Sequence, residues 1–318
     1  MTPTLSPYRL GATLYMPATR PDLLDVILHQ KIADLRSMVI CLEDSLREDE
    51  VIAGLDNLQQ CLHELHPPNE RDSRPLVFIR PRHPRMAHDI LTLDGIDSID
   101  GLVLPKFDNH SFADWYSVVQ NAPPHWMFMP TLETAQVLDE RAVRQLCEQL
   151  QHEGIKSRIL ALRIGGNDLL SCLRLRTHHA HTLYDGPLGH VVAMLVTHCV
   201  PAGFNLTAPV FEYFQDHSVL QAEFQRDLLH GLVGKTVIHP SQIAVIQQAL
   251  KVDSRDYEAA RRILDDSMPA VFQFNGAMCE PATHHHWAVQ IMERATYFGC
   301  HLHTVSNVQP HICPVIFP

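Results

Sequence analysis

Short apolar runs and longer amphipathic stretches alternate along this chain. The runs are ATLYM (12–16), SMVICL (37–42), LVFIR (76–80), GLVLP (101–105), WMFMP (126–130), ILALRI (159–164), FNLTAPV (204–210) and KTVIH (235–239). Each is short enough for a strand and apolar enough to be buried on both faces, as a parallel sheet requires. The stretches between them read as helices. Residues 22–33 set Leu23, Val26, Ile27 and Ile32 on one side, and residues 135–152 and 242–250 are patterned alike. Eight strand–helix units argue for a closed TIM (β/α)₈ barrel rather than an open sheet. No Gly-x-Gly-x-x-Gly follows the first run, which counts against a dinucleotide-binding open sheet.

This pattern assigns residues 1–250 to the barrel, with the polar stretch 67–75 as a loop inside it. After residue 251 the pattern changes. A helix-like DSRDYEAARRILDDS is followed by a Gly-containing loop, FNGAMCEP, and a second helix-like segment, THHHWAVQIMERATYFG. Residues 251–318 therefore read as a C-terminal helical extension, with an irregular tail from 300.

The chain of 318 residues is 46% hydrophobic and 19% charged, an ordinary globular balance with enough apolar matter for a large core. A net charge of −11 and the lack of any Lys/Arg cluster exclude a nucleic-acid partner. An anionic substrate then needs a local positive site, either a metal or a placed Arg. The 8 cysteines stand singly, without a Cys-x-x-Cys pair, and read as buried free thiols in a reduced, cytoplasmic setting. The N-terminus lacks a signal-peptide pattern, and no apolar run is long enough to span a membrane. The 22 histidines include groups at 178–181, 284–286 and 301–303, read as structural or surface residues.

The active site of such a barrel lies at the C-terminal ends of its strands. The ionisable residues there are Glu43 and Asp44 after the second run, Arg80 and Arg82 at the third, and Lys106 after the fourth. Glu133 follows the fifth, Asp168 the sixth, Glu212 the seventh, and His239 closes the eighth. A buried strand has no packing use for a charge at its end. Glu133 and Asp168, on adjacent strands, form an oxygen-donor pair suited to Mg²⁺. Asp168 follows Gly165-Gly166-Asn167, where glycine lets backbone approach a ligand. Alternatively, Asp168 caps a helix beginning at Leu169. Arg80 offers a planar fork for a carboxylate, or a rim salt bridge to Glu43 or Asp44.

These same residues carry a likeness. LYMPATRPDLL, ICLEDS, FIRPR, GLVLPK, LETA, GGNDLL and VIHPSQI stand in the order of motifs found in one family. From about residue 12 to 295 the chain resembles the citrate lyase β-subunit-like branch of the HpcH/HpaI aldolase superfamily. It is also similar to the lyase-like barrels of stress and tellurite-resistance gene clusters. The resemblance implies an oligomeric barrel with Mg²⁺ held by Glu133 and Asp168, and with Arg80 on the substrate carboxylate. It implies reversible carbon–carbon cleavage, retro-aldol or retro-Claisen. In related acyl-CoA lyases an acidic residue of a C-terminal Gly-x-x-Asp-x-Pro segment reaches a neighbouring subunit's site; in GAMCEP the matching position is Glu280. Two departures argue against a CoA substrate. Gly11-Ala12 replaces the Arg-Ser that helps hold CoA phosphates, and APVFEYF replaces an Asp-Gly-Val-Tyr type segment.

The function expected is a Mg²⁺-dependent carbon–carbon lyase, in a homo-oligomer, acting on a small oxo- or hydroxy-acid. Arg80, Glu43, Asp44 and Glu280 are its expected catalytic groups. Arg80, Lys106 and Arg20 are expected to bind substrate, and Glu133 and Asp168 the metal. The alternatives are a non-catalytic barrel subunit, an acyl-CoA lyase of the malyl- or citramalyl-CoA type, and a phosphate-binding isomerase. The last lacks a Gly-rich loop at the seventh and eighth runs.

Overall fold

A computed structural model describes residues 5–29, 31–65 and 74–301 of the chain. The expected strands form at all eight runs: β1 (Gly11–Pro17), β2 (Ser37–Cys41), β3 (Leu76–Arg80), β4 (Gly101–Leu104), β5 (Met127–Leu132), β6 (Leu162–Ile164), β7 (Leu206–Thr207) and β8 (Gly234–Val237). All neighbours pair in parallel, in the order β7-β6-β5-β4-β3-β2-β1-β8. A parallel bridge from Ala208 to Lys235 joins the two ends of this order. Ala208 N–H donates to the Gly234 carbonyl at 2.7 Å, and Thr236 N–H donates to the Ala208 carbonyl at 3.2 Å. The sheet is therefore a closed barrel, with no edge left to pair.

Burial on both faces explains the composition of the strands. Every residue of β2 and β3 is buried. Helices follow the strands and bury one stripe each. Phe112–Asn121 turns Trp115, Val118 and Val119 inward, and Leu188–Cys199 turns in Leu188, Val191, Val192, Leu195 and Cys199. Each such side chain contributes roughly 1.5–3 kcal/mol. Val39, Phe78, Val103 and Met129 of β2 to β5 meet Ala161, which precedes β6, in one buried cluster.

The expected helix at 22–33 is shorter than its pattern. It runs Leu23–Leu28 and buries Leu23, Val26 and Ile27. Beyond it Asp34 takes a left-handed backbone, which an α-helix does not accommodate. The expected loop at 67–75 lies mostly outside the described residues.

The chain divides into two compact units, 1–246 and 247–318. In the second, the helices Ser254–Ile263 and Pro281–Phe298 share a core of Val252, Ala260, Ile263, Phe272, Cys279, Ala288 and Ile291. The stretch expected to be a Gly-containing loop is instead an antiparallel hairpin, β9 (Phe272–Phe274) and β10 (Ala277–Cys279). Asn275 and Gly276 both have positive φ, as an Asn-Gly hairpin turn demands. The tail from 302 onward lies outside the described residues.

Candidate active site

The ends of β2 to β6 bring six charged side chains into one cluster. Arg80, the last residue of β3, is inward-facing and buried. Its Nη2 lies 2.8 Å from Glu43 Oε2, 3.0 Å from Glu133 Oε1 and 3.5 Å from Asp44 Oδ2. Lys106 follows β4 with a left-handed backbone, φ 49°. A non-glycine residue there costs about 1–3 kcal/mol. The conformation aims two groups at once. The Lys106 N–H donates to Glu133 Oε1 at 2.8 Å, while its Nζ lies 2.7 Å from Glu43 Oε1 and 3.6 Å from Asp168 Oδ1. Asp168 sits in the first turn of the helix Gly166–Cys172, whose N-cap is Gly165, so it is not the cap itself. Gly165 is required: a Cβ there would collide with Glu133 Cβ and Oε2.

Burial dominates the electrostatics. It raises the Glu133 carboxyl to about 7, against the lowering effect of Arg80 and the Lys106 N–H, with the charge of Asp168 adding to the rise. Burial likewise raises Glu43. For Arg80, burial works downward but the carboxylate of Glu133 and its neighbours outweigh it, and the guanidinium is held firmly charged. The Arg80 Nε remains buried with no hydrogen-bond partner.

The cluster opens on a cavity of about 410 Å³. Asp44, Arg80, Glu133 and Asp168 line it, as do Tyr15, Thr131, Arg163, Glu212 and Thr236. Glu43 stands behind Arg80 and Lys106, bonded to both. A cleft of similar size, about 440 Å³, is lined by Gln151, Glu153, Lys156 and Phe204 before the starts of β6 and β7 and gathers no comparable cluster.

One expected residue of the barrel unit is not brought into the cluster. Arg20 gives both Nε and Nη2 to the carboxylate of Asp22, at 2.8 and 2.7 Å, and does not line the cavity. Glu280 belongs to the second unit, at the N-terminus of Pro281–Phe298, where its carboxylate accepts from Thr283 Oγ1 at 3.1 Å. Arg82 is structural. It donates to the carbonyls of Leu42 and Leu46 and pairs with Glu48. Sequence reading missed Arg163, Tyr15, Thr131 and Thr236, which lie within strands rather than at their ends. Their signal was an Arg and a Tyr inside otherwise apolar runs.

Among the described residues no group of three or more His, Cys, Asp and Glu side chains is arranged to hold a metal. Two carboxylates facing one cavity, with the charge of one raising the pKa of the other, fit a hard cation that keeps most of its water. The His178 ring lies 4.4 Å from that of His179 and 5.2 Å from that of His181, tilted to both.

The model of the C–C bond lyases of the TIM-barrel fold matches residues 4–300. The chain belongs to that family. Membership makes it an enzyme of the carbon–carbon lyase class. It is 26% identical over 258 residues to a (3S)-malyl-CoA thioesterase of Cereibacter sphaeroides, covering 80% of this chain and 81% of that protein. Among solved structures it is similar to CitE of Mycobacterium tuberculosis with magnesium, acetoacetate and coenzyme A. There the TM-score is 0.66 at 23% identity, over 91% of this chain and 99% of that one. RipC of Yersinia pestis matches at TM-score 0.56 and 22% identity, over 77% of this chain and 96% of that one. Among the described residues of this lyase, no helix is long and apolar enough to cross a membrane.

Proposed function

We propose that this lyase is Mg²⁺-dependent and cleaves a carbon–carbon bond in a small oxo- or hydroxy-acid at the mouth of its barrel. One observation carries the reading. Glu133 and Asp168 face the same cavity as a buried guanidinium, Arg80, that keeps an unpartnered N–H. Solved structures of similar fold were obtained with magnesium and either acetoacetate or oxaloacetate, which supports a carboxylate substrate.

Glu133 and Asp168 would hold the ion, which when bound supplies Lewis-acid stabilisation of negative charge on a substrate oxygen. Arg80 orients the substrate carboxylate through its fork. Glu43 fixes Arg80 and Lys106 from behind, and so acts as a positioning residue. Asp44, which lines the cavity and is half-exposed, is the carboxylate placed to move a proton. A homo-oligomer, with Glu280 contributing to a neighbouring copy's site, completes the reading and is tested by sedimentation of the native chain and of Glu280→Gln.

Coenzyme A thioesters are the second reading, favoured by the malyl-CoA thioesterase relative. Against it, Gly11 and Ala12 are buried in β1, and Arg20 is engaged by Asp22. Turnover of an oxo- and hydroxy-acid panel and their thioesters, with and without Mg²⁺, decides between them. Free acids turned over only with Mg²⁺ support the proposal. Activity confined to thioesters returns the chain to the acyl-CoA lyases, and activity indifferent to Mg²⁺ removes the metal.

A further inference from the structure

Arg163 lies in the middle of β6 and is 1% exposed, yet it lines the cavity. Its side-chain partners are soft or neutral. Nη2 donates to Thr236 Oγ1, Nη1 lies 3.6 Å from Met129 Sδ, and Cζ stands 5.2 Å from the centre of the Tyr15 ring. No carboxylate among the described residues forms an ion pair with it; burial lowers the guanidinium pKa and raises that of the Tyr15 phenol, while Tyr15 and, without an ion pair, Glu133 favour the charged guanidinium. A buried cation without a counter-charge is costly, and natural sequences rarely retain one without a use.

The neighbours of Arg163 repeat the theme. In the sheet register Thr131 of β5 and Thr207 of β7 pair with it on either side. Both hydroxyls are buried with no hydrogen-bond partner. Beneath this layer lies the apolar cluster of Val39, Phe78, Val103, Met129 and Ala161. Above it, Gly165, two residues further along, packs against Glu133. Two residues of strand rise are roughly 6–7 Å. That is the scale of a short dicarboxylate reaching toward Arg163 from an ion that Glu133 would hold.

We propose that Arg163, with Thr131, Thr207 and Thr236 around it, is a second anion site that selects substrates bearing a second carboxylate. The inference deepens the proposed function and rests on it for the position of the first carboxylate. Without a ligand, Arg163 is tolerated by the Tyr15 face and the Thr236 hydroxyl; with one, it gains a charged partner in a dry site.

Calorimetric titration of the full chain with malate and with 3-hydroxybutyrate, at saturating Mg²⁺, tests it. The two differ by one carboxylate against one methyl. The native chain is expected to prefer malate at least tenfold, and Arg163→Gln to reduce the preference to within twofold while Mg²⁺ affinity stays within twofold. Thr131→Val is a second variant that leaves the cation in place, and is expected to weaken malate but not 3-hydroxybutyrate. A native chain without preference, or a preference that survives Arg163→Gln, overturns the proposal. A chain that ignores Mg²⁺ but loses its preference in Arg163→Gln supports the Arg163 site and overturns the metal reading instead.

Discussion

Lys235 on β8 and Arg163 on β6 are equally buried cations that face opposite sides of the same barrel wall. Lys235 points out, and its Nζ lies 2.8 Å from both Glu223 and Asp227 of the helix His217–Leu229. Tyr184 completes that cluster by donating to Asp227 Oδ1 at 2.7 Å, and Glu223 also accepts from the Leu183 N–H. Arg163 points in and, among the described residues, forms no ion pair with a carboxylate, Glu133 acting on it without an ion pair. Thr236, next to Lys235 in sequence, is the residue that Arg163 touches. Where the fold needs a buried charge to seat a helix, it supplies counter-charges from its own chain. Where it leaves one uncompensated beside a cavity, a ligand is the missing partner. The cluster around Arg80 is intermediate, since its carboxylates are shared between two cations and exposed to the cavity on one side.

The largest effect breaks the closed cluster. Lys235→Met leaves two buried carboxylates without a cation and is expected to destabilise the chain by about 3–5 kcal/mol in urea unfolding. The same substitution at the open site, Arg163→Met, removes a charge that no carboxylate among the described residues is ion-paired with, at the loss of the Thr236 and Tyr15 contacts. Its ligand-free stability is expected to stay level or rise. If both variants unfold alike, the two cations are equivalent and the contrast between them is void.

Arg80→Lys keeps the charge and loses the fork. Turnover on an identified substrate is expected to fall by at least an order of magnitude, a charged hydrogen bond being worth about 1.5–3 kcal/mol. Near-native kinetics would place Arg80 with Lys235 as a structural cation. Gly165→Ala pushes Glu133 aside and is expected to weaken Mg²⁺ about tenfold by calorimetry, at an overpacking cost of about 1–3 kcal/mol.

The smallest expected effect is a pH profile. Burial raises Glu133 from an ordinary 4.5 to about 7. A carboxyl raised on folding stabilises the ligand-free chain fully below its unfolded value, and that stability is lost as pH rises through about 7. Mg²⁺ needs the carboxylate, so its affinity is expected to climb with pH up to about 7 and level off above it. A flat profile between pH 6 and 8 would remove Glu133 from the metal.

Much of this was legible in the chain. The eight apolar runs are the eight strands, because burial on both faces leaves a composition that periodicity detects. Glu43, Asp44, Arg80, Lys106, Glu133 and Asp168 were found by looking at strand ends, and the barrel brings them together. That same rule passed over Arg163, which lies inside its strand. The alternation of inward and outward positions held the clue. Arg163 and Gly165 fall on the inward parity with the cavity, whereas Lys235 falls on the outward one. Arg20 pairs locally in this structure: Asp22, two residues on, accepts from its Nε and Nη2. The hairpin at 272–279 was missed although Asn275-Gly276 is a strong turn signal, its flanking strands being only three residues each.

The most direct test of the account is calorimetric titration of Mg²⁺ into the native chain and into the Glu133→Gln, Asp168→Asn double variant. Thermal unfolding of each would be recorded alongside. One saturable site is expected in the native chain, no detectable binding in the variant, and a cooperative unfolding transition in both. Equal Mg²⁺ affinity in the two chains would contradict this expectation.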